Sequence, residues 1–327
     1  MLEAVDKIKV SVLLLSYKHA KYIRQCIDSI LCQKVNFRYE IIVGDDCSED
    51  GTKEILLYYK ERYPNIFVLV LNEKNVGAGQ NSYNINKLAR GEYIAGTETD
   101  DYWIDENRLQ KQVDFLDTHP EYVAVYSNFV NVDSNGNNPY ISMLRWQVNK
   151  AYTLKHFLRY GMVLHGNTCM RRNVLPTGGE RYDKLRAAVP TMGDVMKRVL
   201  IYDQGPVFVL PDVMHAHREG SAVKSSFFSQ QKDKSVEYSY LYCRIVDATE
   251  EYFDGKYNLQ KLKANRTGGV ILKSFIGDYN VDKEDFKKYM HTLPKNLRLL
   301  SYERFLQKGA RAFLHKIGRK LKLYYKS

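Results

Sequence analysis

Short apolar runs closed by polar clusters punctuate the first hundred residues. The run over 9–15 (KVSVLLL) is rich in Val and Leu, the composition of a strand buried on both faces. It stops at Ser16-Tyr17-Lys18-His19. Apolar positions then recur at Ile23, Ile27, Ile30 and Leu31, one face of a helix. A second strand is predicted over 39–43 and ends in Gly44-Asp45-Asp46-Cys47-Ser48-Glu49-Asp50-Gly51-Thr52, where Ser48 and Asp50 are candidates to cap a helix over 53–62. A third, over 67–71, ends at Asn72 to Gly77. A helix from about 80 to 89 leads to a fourth strand over 93–97. Further on, Leu109, Val113 and Leu116 mark the inner face of a helix over 107–118, and strands are expected over 122–126 and 207–210. Gly193-Asp194 opens another helix. Four helices are predicted to close the chain, over 229–253, 257–276, 282–291 and 300–324.

Strands alternating with helices predict right-handed crossovers and a mostly parallel sheet, hence an α/β fold. The pattern stops near residue 225, which places a catalytic domain over 1–222 and a helical C-terminal region over 223–327. No Gly-x-Gly-x-x-Gly and no Walker Gly-Lys-Ser occur, which disfavours ordinary dinucleotide and ATP sites. In an open α/β sheet, ligands collect at the carboxyl ends of the strands, where the polar clusters lie.

Composition changes this picture in two places. The 327 residues are 44% hydrophobic and 27% charged, an ordinary globular balance with enough apolar residues for a sizeable core. The cysteines, Cys26, Cys32, Cys47, Cys169 and Cys243, are odd in number and show no metal spacing, which predicts a reducing, cytoplasmic setting without a disulfide framework. Cys26 and Cys32 read as small core residues. No apolar window reaches membrane-spanning length, and the N-terminus lacks the regions of a signal peptide. The formal charge of +11 is concentrated at one end. From Lys295 to Ser327 ten Lys and Arg face Glu303 alone, a net +9, leaving +2 for the rest.

The chemistry centres on Gly91-Glu92-Tyr93-Ile94-Ala95-Gly96-Thr97-Glu98-Thr99-Asp100-Asp101-Tyr102-Trp103. Three carboxylates in four positions repel one another unless a cation sits among them, and hard oxygen ligands suit Mg²⁺ or Mn²⁺. The bland alternative is a solvated turn before a helix. Glu98-x-Asp100-Asp101-Tyr102-Trp103-Ile104-Asp105, with Arg108-Leu109-Gln110-Lys111-Gln112 behind it, resembles the acidic motif of family 2 glycosyltransferases of the bacterial surface-glycan type, with Glu98 in place of the usual first Asp. Asp45-Asp46-x-Ser48-x-Asp50-x-Thr52 resembles a second motif of that family. The resemblance is strong over 8–118, thinner to 222, and implies the GT-A fold.

It also implies roles. Ser16, Tyr17, Asp45 and Asp46 fall where the family holds the nucleotide of a nucleotide-sugar donor; an aromatic face over a base and carboxylates accepting from base or ribose fit that task. Asp100 is the expected ligand of Mn²⁺ or Mg²⁺, with Glu98 and His217 beside it. Asp101 is expected to hold donor sugar hydroxyls or to support the metal shell. Asp194 matches the late Asp that serves as general base in an inverting transfer; as a plain helix cap it would look the same. Of His215 and His217, one is expected to face the site. Arg218 is placed to meet phosphate. His165, Arg171 and Arg172 read as a solvated strand end more readily than as acceptor contacts.

The expected function is therefore metal-dependent, inverting transfer from a nucleotide-sugar, a UDP-sugar by preference, to a glycan or lipid-linked acceptor. A nucleotidyltransferase would need a glycine-rich basic loop after the first strand, which Ser16 to Ala20 does not supply. A non-enzymatic adaptor would leave the ordered strand-end motifs unexplained. In the tail, Leu306, Ala310, Phe313, Leu314, Ile317, Leu321 and Tyr324 form one apolar helical face among basic residues. That pattern points to an anionic membrane surface ahead of packing on the core. No nucleic-acid partner is expected, because no aromatic-basic recognition module is present.

Overall fold

The computed structural model describes residues 7–143, 145–160, 164–188, 193–219, 235–276 and 283–320, with the side chains of 160, 193–194, 235–236, 238, 273–276, 283, 285 and 310–320 outside the description. The chain forms two compact units. One comprises 1–153, 164–182 and 197–221; the other comprises 154–163, 183–196 and 222–327.

The first unit is a sheet flanked by helices. Its strands are β1 (Val10–Ser16), β2 (Tyr39–Asp45), β3 (Phe67–Leu71), β4 (Tyr93–Glu98), β5 (Tyr102–Trp103), β6 (Ala124–Val132), β7 (Tyr140–Ile141), β8 (Lys150–Tyr152), β9 (Cys169–Arg172) and β10 (Val207–Arg218). The order is β3-β2-β1-β4-β9-β6-β10-β5, with β7 beside β6 and β8 beside β10. β3, β2, β1 and β4 pair in parallel, as do β6 and β10. β9 runs antiparallel between the two groups. The α/β sheet expected from the strand-helix alternation is thus present, parallel within each group and joined by antiparallel pairings, and its architecture is that of the GT-A fold.

The apolar runs follow from burial on both faces. Val10, Val12 and Leu14 of β1 pack into a core with Ile41, Val43 and the helix α1 (Ile23–Leu31), whose Ile23, Cys26, Ile27 and Ile30 are buried. Leu13 points the other way, into a cluster with Ile42, Ile94 and Ile85 of α3 (Ala78–Asn86). Each such side chain contributes about 1.5–3 kcal/mol on burial, so the period-two pattern vanishes into a continuous hydrophobic run.

Several expectations are corrected. α2 (Thr52–Arg62) starts after Gly51, whose φ of 93° closes the turn; Asp50 accepts the Thr52 N–H at 3.2 Å as a cap, whereas Ser48 bonds elsewhere. Cys32 is exposed at the end of α1, while Cys26 is buried as expected; all five cysteines are free thiols. β6 and β10 run well beyond their apolar cores, because their outer halves carry Asn128, Asn131, His215 and His217.

The second unit is helical, with helices Ser235–Tyr252, Gln260–Ile276, Lys283–Thr292 and Lys295–Lys320. Its core gathers Ala264, Ile271, Tyr289, Met290, Leu293 and Leu297. Gly268 lets two helices cross closely: a Cβ there would lie 2.7 Å from the Ser301 carbonyl oxygen and 2.8 Å from the Phe305 nitrogen. Among the described residues, no helix is long and apolar enough to cross a membrane.

Candidate active site

The carboxyl ends of β1 and β2 are adjacent, with Ser16 opposite Asp45 and the Asp46 N–H donating to the Ser16 carbonyl at 2.9 Å. Asp45 is buried and closes a local turn: it accepts the Ser48 N–H at 2.9 Å and the Ser48 hydroxyl at 2.6 Å. Asp46 is also buried. One of its oxygens accepts the Val76 N–H at 2.7 Å, the other the Gly77 N–H at 2.9 Å, so it holds the loop that opens α3. The remaining members of the motif hold the loop after β1. Ser48 Oγ accepts the Lys18 N–H at 2.8 Å, Thr52 Oγ1 the His19 N–H at 3.1 Å, and Asp50 the Ala20 N–H at 3.1 Å. Lys18 and Cys47 sit at φ 57° and 63°, a strained region for residues with a side chain, here held by these bonds. Tyr17 is half-buried beside Lys18, and Ser16 Oγ is buried with no hydrogen-bond partner among the described residues.

The acidic loop leaves β4 next to this corner. The Thr99 N–H donates to the Leu15 carbonyl at 3.1 Å, and the Asp101 N–H donates to the Glu98 carbonyl at 3.2 Å. Glu98 is exposed. Asp100 is partly buried, 3.9 Å from His19 Nε2, and the other ring nitrogen of His19 lies 2.8 Å from Thr99 Oγ1. Asp101 turns inward. Its carboxylate accepts from Asn167 Nδ2 at 2.7 Å, His215 Nε2 at 3.0 Å, His217 Nδ1 at 3.2 Å and the Arg218 N–H at 2.9 Å.

Electrostatics follow from these partners. Burial by itself would push the Asp101 pKa up; hydrogen bonds and attraction from His215 and His217 outweigh it and hold the carboxyl well below its ordinary range. For His217, burial opposes the charge, yet Asp101, Asp100 and Glu98 leave its pKa raised. Burial pushes His215 down, and pushes His165 down to about 3 with help from its two histidine neighbours. Arg108 is wholly buried, which lowers its pKa to about 9.

Both β10 histidines meet Asp101, His215 wholly buried and His217 partly exposed. Residues two apart share a face of a strand. The register shifts between Val209 and His215 re-aim that face toward the acidic loop. Ligand atoms of Asp101, His165 and His217 lie within 4.8 Å of one another. Thus His165 is a half-buried member of the cluster, its ring 4.5 Å from that of His217, rather than part of a solvated strand end; Arg171 is buried. Asp194 stands in the first turn of the helix Gly193–Gln204, and its side chain lies outside the described residues. Arg108 and Asn167 were not singled out from sequence as site residues. Nothing in the local pattern of a lone Asn marks it, whereas Arg108 did belong to the recognised stretch.

A family model for glycosyl transferase family 2 matches residues 11–177. An uncharacterized protein of Mycobacterium bovis is 42% identical over 117 residues, 36% of this chain and 34% of that protein. A poly(ribitol-phosphate) beta-glucosyltransferase of Bacillus spizizenii is 36% identical over 95 residues, 29% of this chain and 15% of that one. The chain therefore spans about a third or less of these relatives' length. Among solved structures, S. aureus TarS 1–349 in complex with UDP-GlcNAc superposes with a TM-score of 0.64 at 20% identity, covering 90% of this chain and 84% of that one.

Proposed function

The chain belongs to glycosyl transferase family 2, and from that membership we propose that it moves a sugar, with inversion, from a nucleotide-sugar to a glycan or lipid-linked acceptor in surface-polysaccharide synthesis. The observation that carries this reading is the meeting of three strand ends. Tyr17, Asp45 and Asp46 close β1 and β2, while Glu98, Asp100 and Asp101 close β4 beside them. A donor lying over that corner sets its base against Tyr17 and Asp45 and its diphosphate toward Asp100. A UDP-sugar is the preferred donor, since the fold neighbour TarS is described in complex with UDP-GlcNAc.

The residues present fit a divalent cation, Mn²⁺ or Mg²⁺. Asp100 and Glu98 offer hard oxygens. The charges of Asp100 and Glu98 help to raise the pKa of His217, and His165 Nδ1 is buried with no hydrogen-bond partner among the described residues. Asp100, Glu98 and His217 would hold the ion. When bound, it neutralises charge on the departing nucleoside diphosphate. Asp194 is assigned the acceptor proton, as general base on the face opposite the leaving group.

The helix Lys295–Lys320 is assigned to an anionic membrane surface at the cytoplasmic side. Leu299, Tyr302 and Leu306, at i, i+3 and i+7, are exposed, while Leu297, Ser301 and Arg304 are buried in the unit's core. Of the remaining positions read as one apolar face from the sequence, Ala310, Phe313, Leu314 and Ile317 have side chains outside the description, and Leu321 and Tyr324 lie outside the described residues.

The test is a panel of nucleotide-sugars with Mn²⁺, read as nucleoside diphosphate released. UDP is expected from one UDP-sugar, with activity abolished by EDTA and by Asp100→Asn. Asp194→Asn should bind UDP as the wild type does yet lose transfer by ~10²-fold or more. No release from any donor, or full activity in EDTA, would sink the reading.

A further inference from the structure

We infer that Asp101 is a positioning residue that, with Arg108 and His215, fixes the two β10 histidines in opposite tautomers and presents His217 Nε2 to the ligand side of the site. A carboxylate offers about four lone-pair positions. Asp101 is 1% exposed, and every position is taken by a protein donor: Asn167 Nδ2, His215 Nε2, the Arg218 N–H, and His217 Nδ1 shared between both oxygens at 3.2 Å. Nothing is left for a cation or a sugar hydroxyl. The acidic motif therefore divides, with Glu98 and Asp100 facing the ligand and Asp101 behind them.

The tautomers follow from which groups accept protons. A guanidinium donates and never accepts. Arg108 is fully buried, its guanidinium 4.2 Å from the Trp103 ring centre and donating to the Asn167 carbonyl at 2.7 Å. Among the described residues no carboxylate forms an ion pair with it. Its Nη1 lies 3.5 Å from His215 Nδ1, which must be the acceptor. His215 then carries its proton on Nε2 and donates it to Asp101. Buried cation and buried anion are thus joined through a neutral imidazole, a means of offsetting two desolvated charges that do not touch. Asp101 also only accepts, so His217 carries its proton on Nδ1 and keeps Nε2 as a lone pair. A carboxylate behind an imidazole orients the ring and raises its basicity as a ligand.

The ion itself rests on the proposed function; the tautomer pair does not. Long-range nitrogen–proton spectra of histidine-labelled wild-type protein at pH 8.5 should show His215 as the Nε2–H form and His217 as the Nδ1–H form. The same tautomer at both would overturn the inference, and this measurement needs no variant to fold. Asp101→Asn should lower Mn²⁺ affinity, read by electron paramagnetic resonance, by ~10–100-fold and mix the His217 tautomers, while metal-free UDP affinity stays within about twofold. Asp100→Asn should lower Mn²⁺ affinity without changing either tautomer. Wild-type Mn²⁺ affinity and tautomers in folded Asp101→Asn would overturn the positioning role. Absence of Mn²⁺ binding by the wild type would instead defeat the metal reading, with the tautomers still deciding the assignment made here.

Discussion

At the scale of single residues, neighbouring acids with similar sequence signals do different work. Asp45 and Asp46 are adjacent and both buried, yet one ties its own turn and the other reaches across to the loop before α3. The Asp46 carboxylate satisfies the Val76 N–H and shares the Gly77 N–H with Asn75 Oδ1, beside a Gly77 φ of 83° that demands a glycine. Charge-assisted bonds of this kind are worth about 1.5–3 kcal/mol each. Asp46→Ala should therefore lower unfolding free energy in urea by ~2–4 kcal/mol even without nucleotide. Unchanged stability with lost UDP binding would assign Asp46 to the ligand alone.

Among the elements, the register of β4 against β1 sets where the acidic loop emerges, and that register is anchored at the far end of the sheet. The Gly91 N–H donates to Ser11 Oγ at 2.8 Å, and the Ser11 hydroxyl donates to the buried Glu40 at 2.7 Å. Arg90 forks onto Glu40 from the same turn. A Cβ on Gly91 would stand 2.7 Å from the Val10 carbonyl carbon and 2.8 Å from the Tyr93 oxygen, both backbone atoms that cannot step aside. Gly91→Ala should cost ~1–3 kcal/mol, seen as a lower midpoint in thermal unfolding, with the loss recovered by no change at the ligand end. A wild-type midpoint would show that β4 can slide.

On the scale of the whole molecule, charge is segregated. Residues 295–327 carry +9 of the +11, and the helix that begins this stretch presents Leu299, Tyr302 and Leu306 outward. A second copy docking on that face would bring like charges together, whereas an anionic bilayer meets both the charge and the apolar stripe. Replacing the three by Gln keeps the charge and the buried face. Binding to vesicles of phosphatidylglycerol and phosphatidylcholine should fall at least tenfold, since each large apolar side chain is worth ~1.5–3 kcal/mol of burial and 1.4 kcal/mol is a factor of ten. Wild-type vesicle binding by the variant, with donor hydrolysis intact, would remove the stripe from the membrane contact.

What the amino-acid order determined by itself was local: where apolar runs make buried strands, where helices return, and that carboxylates stand at strand ends. Those features depend on neighbours in the chain, and the runs over 9–15, 39–43, 67–71 and 93–97 became β1 to β4 within two residues at either end. Of the two cap candidates, Asp50 does accept the Thr52 N–H at the helix start, whereas Ser48 was misread because its partners are Asp45 and, thirty residues away, the loop after β1. The hub around Asp101 was out of reach for the same reason. Asn167, His215, His217 and Arg218 lie 66 to 117 residues from it and meet it only because β10 enters the sheet beside β6 with shifted register. Spacing along a chain says which face a side chain takes; which buried proton donors surround a carboxylate is decided by tertiary packing, where desolvation leaves no polar group affordable without its partner.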